Sequence, residues 1–441
     1  MALLRTRPGF RRLWAAGAVS LAGDWLSFVA VSALALASGG GAIGLALVFA
    51  AHALPAAVLA PVAGALVDRF DRRRVLVAAD TLAAIITAAM AGAAVMGWIG
   101  AVQVLLLARS AISALVPPGE SAALRRVVEP GELVRANAIL AATWSVAFVA
   151  GMSLGGAAAL LGPALALAID SLSFVIAAAL HATLPPMPPA TEPVSIAAVV
   201  RATPRDTAIA LRVAAGHRQL FEAVLGKAPL ALAGGAAWIA LNLIGAEEEP
   251  FGAAALSFGV LQAVRGAGTG IGPAVAARLA RGGVADESLQ WGARVAMIGA
   301  IVSLALARSP AALVAVTLVW GIGSGTNWVL SHSALQRHSP DEVIGRLAAF
   351  DELLVTLAMV IGVFAGAGAV LASGNSAAAL VAGALGACGI AAAAVIARLV
   401  SGPRPASLLE RQAADQVHLA QRDPVVAQDV VGGGEVKVKV G

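Results

Sequence analysis

Gly64-Ala-Leu-Val-Asp68-Arg69-Phe-Asp71-Arg72-Arg73-Arg74 is a short charged hinge between two long apolar runs, 44–67 and 75–96. Each run exceeds the roughly 20 apolar residues needed to cross the hydrocarbon core of a bilayer as a helix. The four arginines of so short a connection place it on the cytoplasmic side, because basic residues are retained there. Reading outward from this hinge, the chain is a succession of such runs separated by short connections.

The composition agrees. Of 441 residues, 59% are apolar and 12% charged, against about 25% charged in a typical soluble domain. One soluble core cannot hide this excess of Ala, Leu, Val and Gly. The pattern predicts an all-α integral membrane protein, in which every backbone polar group is satisfied inside a helix. The net charge of +5 is carried in short loops, which fits contact with a lipid bilayer and its anionic headgroups and points away from nucleic acid. One cysteine, Cys388, excludes a disulfide framework within the chain. The arginines at the start precede a run too long for a signal peptide, so that run reads as a retained first span.

Twelve spans are expected in two sets of six. Residues 1–12 form a basic cytoplasmic arm. The spans follow at about 13–36, 44–67, 75–96, 101–116, 137–161 and 163–184, so the N-terminal bundle covers 13–184. Pro117-Pro118 is expected to stop the fourth. Residues 185–227 open with Pro185-Pro-Met-Pro-Pro189 and carry Arg201, Arg205, Arg212 and Arg218. They read as a cytoplasmic linker with one or two amphipathic helices at the membrane surface. The C-terminal bundle, 228–400, has spans at about 229–245, 253–279, 288–306, 311–331, 347–372 and 377–400. The polar tail, 401–441, is expected to be mobile. With the N-terminus inside, nearly all loop arginines fall inside, Arg308 being the exception, and Glu247-Glu248-Glu249 falls outside; both termini are therefore expected in the cytoplasm. A faint repeat supports two halves: Ala123-Leu124-x-Arg126 with Arg135 matches Ala334-Leu335-x-Arg337 with Arg346.

Ionisable residues inside spans are costly and mark candidate sites. Asp24 lies near the middle of the first span, with Ser20 and Ser27 on its face. Arg109 lies near the middle of the fourth, with Ser113 one turn on. At 1.5 Å per residue each is roughly 12–18 Å from its helix ends, so the two charges can meet at one depth. The pair is read either as a coupling site, where substrate or proton competes for Asp24, or as a fixed ion pair. Further cavity-lining candidates are His52 in the second span, Trp238 and Asn242 in the seventh, and Gln262, Arg265 and Thr269 in the eighth. The tenth adds Ser324, Asn327 and Ser331. For each the alternative is an interhelical hydrogen bond. Arg265 stands out, because an intramembrane arginine marks a pathway or a pair. Ser331-His332-Ser333 lacks an orienting carboxylate, so no catalytic constellation is expected. No phosphate-binding loop is present, and neither a cofactor nor a metal is expected.

The hinge residues Gly64, Asp68, Arg69, Arg72 and Arg73, with the twelve spans and the linker, resemble the major facilitator superfamily. Phe10-Arg-Arg-Leu-Trp14, Gly23-Asp24, Leu133-Val-Arg-Ala-Asn137, Asp170-Ser-Leu-Ser-Phe174 and Ser339-Pro-Asp-Glu342 with Gly345-Arg346 resemble its bacterial efflux branch, which includes enterobactin and macrolide exporters. Arg109 is similar to the arginine of drug–proton antiporters in the fourth helix. The resemblance implies that Asp68 sits near the inner start of the eleventh helix and latches the inner gate in the outward-facing state. The antiporter pattern Gly-Pro-x-x-Gly-Gly of the fifth helix stands here as Gly151-Met-Ser-Leu-Gly155-Gly156, so the proline is missing while the packing glycines remain. The expectation is a monomeric, multi-pass transporter of the cytoplasmic (inner) cell membrane. By alternating access it would export a small amphipathic or drug-like molecule, in proton antiport. Import of a small solute on the same fold, and a non-transporting membrane sensor or assembly protein, are the alternatives.

Overall fold

The computed structural model describes residues 2–189, 195–216, 218–307, 309–339 and 344–377, with the isolated positions 380, 383 and 386. All elements among them are helices. A short α1 (Ala2–Thr6) precedes α2 (Pro8–Ala37), α3 (Gly41–Arg69), α4 (Arg72–Val95), α5 (Ile99–Ser113), α6 (Val116–Val127), α7 (Leu133–Leu160) and α8 (Pro163–Ala182). The linker holds α9 (Ile196–Gly216) and α10 (Arg218–Val224), then a 3-10 turn at Leu225–Lys227. The second half continues with α11 (Ala228–Glu248), α12 (Ala254–Arg281), α13 (Asp286–Leu304), α14 (Pro310–His338) and α15 (Ile344–Ser373). The expected twelfth span falls almost wholly outside the described residues, as do Cys388 and the tail from 401.

Nine stretches among the described residues are helical, long and apolar enough to cross a membrane, α5 and α6 counting as one. The outward faces carry Ile85, Val104, Val146, Leu172 and Val295 exposed, while Ser27, Asp80, Arg109, Asp170 and His181 are buried. A soluble protein shows the opposite distribution; hydrocarbon solvent favours this one, and the chain is a multi-pass integral membrane protein.

The first span begins earlier than expected: α2 starts at Pro8, and Leu3, Leu4, Phe10 and Leu13 are buried in one cluster with Leu76 and Leu124. Arg7 pairs with Glu129 and, at 3.0 Å, with Glu132, tying the arm to the start of α7. The fourth span does end just before Pro117 and Pro118, α5 closing at Ser113. The chain turns at Ala114-Leu115 and resumes as α6, with proline in its first turn, where the missing N–H costs nothing. The polar segment with Arg125 and Arg126 is therefore helical.

Call the side bearing the Arg69–Arg74 hinge the hinge face, and the opposite side the far face. Toward the far face the largest buried cluster mixes both halves: Phe28, Val31, Leu45 and Phe49 pack with Trp238, Leu241, Phe258 and Leu304. Trp238 meets Phe49 at 5.0 Å and Phe28 at 5.8 Å between ring centroids. Toward the hinge face the clusters separate. One belongs to the N-terminal half alone, while the other joins the linker residues Leu220 and Val224 to Leu335 and Leu347. The halves thus share one core toward the far face, while the described hinge-face clusters are separate. The amphipathic α9 packs on α3 and on α15, with Asp206 3.3 Å from Arg346.

Candidate functional site

Three helices converge on Arg109. Its Nη1 donates to Asp170 Oδ2 on α8 at 2.8 Å and to Ser27 Oγ on α2 at 3.0 Å. Its Nη2 lies 2.9 Å from Asp24 Oδ1 on α2. That second contact meets ion-pair distance but not hydrogen-bond geometry, since Asp24 Oδ1 has no aligned donor. Asp170 is fully buried and also accepts from Ser173 Oγ at 3.2 Å, whereas the Asp24 side chain is 22% exposed. One guanidinium is therefore shared by a well-held carboxylate and a loosely held one. Such sharing needs α2 and α8 in close contact, and Gly23 supplies it: a Cβ there would sit 2.8 Å from Ser173 Cβ.

Beside the loosely held carboxylate is a cavity of about 160 Å³, lined by Asp24, His52, Ala56, Arg109, Ser110 and Ser113. It offers room and polar partners for water: Ser110 Oγ, Ser113 Oγ and His52 Nδ1 are buried without a partner. The His52 ring lies 4.9 Å from Phe28 and 5.2 Å from Trp25. Ser27 Oγ donates to Asp24 O at 3.1 Å, and Ser20 Oγ donates to Gly17 O at 3.3 Å. Of the expected lining residues, Asp24, His52, Arg109 and Ser113 surround this cavity.

The second-half candidates are placed elsewhere. Trp238 is sealed in the far-face cluster. Asn242 Oδ1 accepts from Gln262 Nε2 at 2.8 Å, joining α11 to α12, and Thr269 Oγ1 donates back to Arg265 O at 3.1 Å. Asn327 Oδ1 accepts from Arg294 Nε at 3.2 Å, and Ser331 Oγ accepts from Gln290 Nε2 at 2.8 Å, both tying α14 to α13. Helical spacing set these side chains on one face, but the face meets a neighbouring helix rather than open space. Ser324 is half-buried. Arg265 Nε donates to Gln262 Oε1 at 2.9 Å.

The hinge is stapled by its other aspartate. Asp71 Oδ1 caps α4 by accepting from Arg74 N at 3.1 Å, and its Oδ2 accepts from Met187 N at 2.7 Å. Arg72 donates to Pro188 O. Asp68 is 68% exposed, and its ion partner among the described residues is Arg72 at 3.8 Å. Arg69 is exposed, Arg73 half-buried, and nothing lies within 4 Å of a Cβ built at Gly64. In α7, Gly151 and Gly155 lie against α2, where a Cβ would sit 2.6 Å from Ala22 O and 2.7 Å from Leu26 O, and Gly156 faces Ala255 of α12 at 2.9 Å.

Sequence reasoning missed several charged sites. Asp170 was read only as part of a motif. His181 Nδ1 lies 2.6 Å from Asp80 Oδ2, both buried, between α8 and α4. Glu120 Oε1 on α6 is buried without a partner beside Gly17. Lys227, taken as the end of the linker, is buried against Asp351 of α15, with its ammonium 5.1 Å from the Trp328 ring. The signal that finds Asp80 and Asp170 is an acid inside an otherwise apolar run.

A family profile described as transmembrane secretion effector matches residues 2–439. The chain is 28% identical over 155 residues to an uncharacterized MFS-type transporter, YfiS, of Bacillus subtilis (strain 168); the match covers 35% of this chain and 36% of that protein. Among solved structures it is similar to the nucleoside transporter NupG, with a TM-score of 0.67 at 12% identity over 89% of this chain and 98% of that one. A POT family transporter in complex with 5-aminolevulinic acid gives 0.67 at 12% identity, over 90% and 97%. A bacterial homologue of the iron transporter ferroportin, in an inward-facing state, gives 0.64 at 16% identity, over 88% and 98%. At these identities the structural likeness is one of fold.

Proposed function

The chain belongs to the transmembrane secretion effector family of the major facilitator superfamily, a membrane transporter and not an enzyme, and we propose that it exports a small amphipathic or drug-like molecule in exchange for protons. The observation that carries this reading is the sharing of Arg109 between Asp170 and the cavity-facing Asp24. One cation cannot fully neutralise two carboxylates. A proton on Asp24 leaves the Arg109–Asp170 pair intact, so the site gains and loses a proton without exposing an unpaired buried charge. The charge on Asp24 follows that proton, and this charge at the cavity wall couples proton movement to movement of the substrate. The core shared by both halves toward the far face supports a cycle that closes the protein alternately at its two faces. Export is favoured by the secretion role in the family description, and the proton by the absence of a phosphate-binding loop. Cells expressing the chain are expected to accumulate less of an amphipathic cationic or anionic dye than cells expressing Asp24→Asn. A protonophore should erase the difference; equal accumulation before its addition argues against export.

We further propose that the hinge face is cytoplasmic and the membrane is the cell's inner one, with the protein acting as a monomer. The arginine distribution supports the orientation. In a Cys388→Ala background, single cysteines at Gly41, Gly100 and Glu248 should react with an impermeant thiol reagent added outside intact cells. Those at Asp71 and Thr203 should not, and the reverse labelling contradicts the orientation.

A further inference from the structure

Among the described residues, Arg265 is an intramembrane cation without a counter-ion. It lies within α12, about 17 Å from one end and about 24 Å from the other at 1.5 Å per residue. No carboxylate among the described residues stands within ion-pair distance of it, in contrast to Arg109 with two. Its guanidinium carbon lies 5.3 Å from the Phe148 ring of α7 and 5.6 Å from the Trp320 ring of α14. The two rings come from opposite halves of the protein, so the guanidinium sits at the seam that alternating access must open and close. Nε is fixed by Gln262, itself held by Asn242. The terminal amino groups donate to no described acceptor, and they are not among the sealed, unpartnered atoms. Ring faces offset part of the cost of a charge at this depth and supply no opposite charge.

A broad apolar wall adjoins it. Phe148 lies 4.7 Å from Trp25 and 5.4 Å from Trp144 between centroids, and Trp144 is 41% exposed. Trp25 Nε1 is buried with no acceptor. A positioned guanidinium with its fork free, beside stacked rings and a spare N–H donor, is built for a flat apolar body carrying a carboxylate-like anion.

We propose that Arg265 holds the anionic group of the transported molecule, whose apolar body lies against Phe148, Trp144 and Trp25; the substrate is an amphipathic, ring-bearing anion. This names the substrate class of the transporter reading and rests on it. Because Arg265 is clasped by both halves, loading it reports to both at once, and Trp25 of the wall lies 5.2 Å from His52 of the Asp24 cavity.

The test is equilibrium calorimetry on the full chain in lipid nanodiscs, with empty nanodiscs as blank and three matched probes: 2-naphthoate, neutral 2-naphthamide and cationic 2-naphthylmethylammonium. The expected result is that 2-naphthoate binds at least ~10-fold more tightly than the other two, and that Arg265→Gln lowers its affinity by that factor, to the level of the amide. Arg265→Lys should keep part of the preference. Unchanged 2-naphthoate affinity in a folded Arg265→Gln variant, equal or tighter binding of the cation, or no binding above the blank each overturns the proposal. Should Arg265→Gln not fold, the selectivity of the parent chain and of Arg265→Lys decides. Binding needs no gradient, so intact 2-naphthoate selectivity with no gradient-driven movement refutes proton coupling and leaves this site standing.

Discussion

Arg109→Gln made alone is expected to yield little folded protein, and Arg109→Gln combined with Asp170→Asn is expected to recover it. Asp170 is fully buried and depends on Arg109 and Ser173. Removing one member of such a pair leaves a charge in apolar surroundings, at about 3–5 kcal/mol, comparable to much of a domain's stability. Replacing both leaves only Asp24 without its cation, and Asp24 is partly exposed at the cavity wall. Asp24→Asn should behave differently. Arg109 keeps Asp170, so folding is expected to hold, while the group proposed to take the proton at the cavity wall is gone. Melting temperature and elution profile of the purified variants separate these cases. An Arg109→Gln protein that melts with the parent would show that Asp170 does not rely on it. A double variant that folds and still moves substrate down an imposed gradient at the parental rate would reduce the cluster to a structural tie.

The second large effect is expected at Lys227. Its ammonium pairs with Asp351 and lies over Trp328, all in the second half near the hinge face. Both partners are buried, and Asp351 Oδ1 has no other donor. Lys227→Met should cost about 3–5 kcal/mol for the same reason, whereas Lys227→Met with Asp351→Leu should return most of it, because well-packed apolar groups replace a buried pair at little loss. Lys227 is also where the linker enters α11, so the single variant should expose α10 to protease faster than the double one. A Lys227→Met protein as stable and as protease-resistant as its parent contradicts the assignment.

The architecture was legible because hydrocarbon imposes a coarse rule: apolar runs of sufficient length become helices, and arginines mark one side. The meeting of Asp24 with Arg109 was legible for a similar reason, since depth follows from counting 1.5 Å per residue. Which third helix completes the cluster was not. Depth does not say that α8 lies between α2 and α4, so Asp170 and the Asp80–His181 pair escaped notice although both acids interrupt apolar runs. The same limit misplaced Asn327 and Ser331, whose shared face was read correctly but whose neighbour, α13, is a matter of tertiary packing. Lys227 escaped because a basic residue after a basic linker reads as solvated. The stop before Pro117-Pro118 was legible, but not that the same prolines open α6, since a proline pair ends one helix and opens the next equally well.

The cluster around Arg109 is proposed to couple an outward substrate flux to protons through Asp24. The most direct measurement uses proteoliposomes containing the purified chain, a panel of fluorescent amphipathic compounds and an imposed pH gradient. The account predicts gradient-dependent movement of at least one compound, accompanied by counterflow of protons seen with an entrapped pH dye. It also predicts loss of both in Asp24→Asn at unchanged protein content. Movement that proceeds equally without the gradient, or that survives in Asp24→Asn, would contradict it.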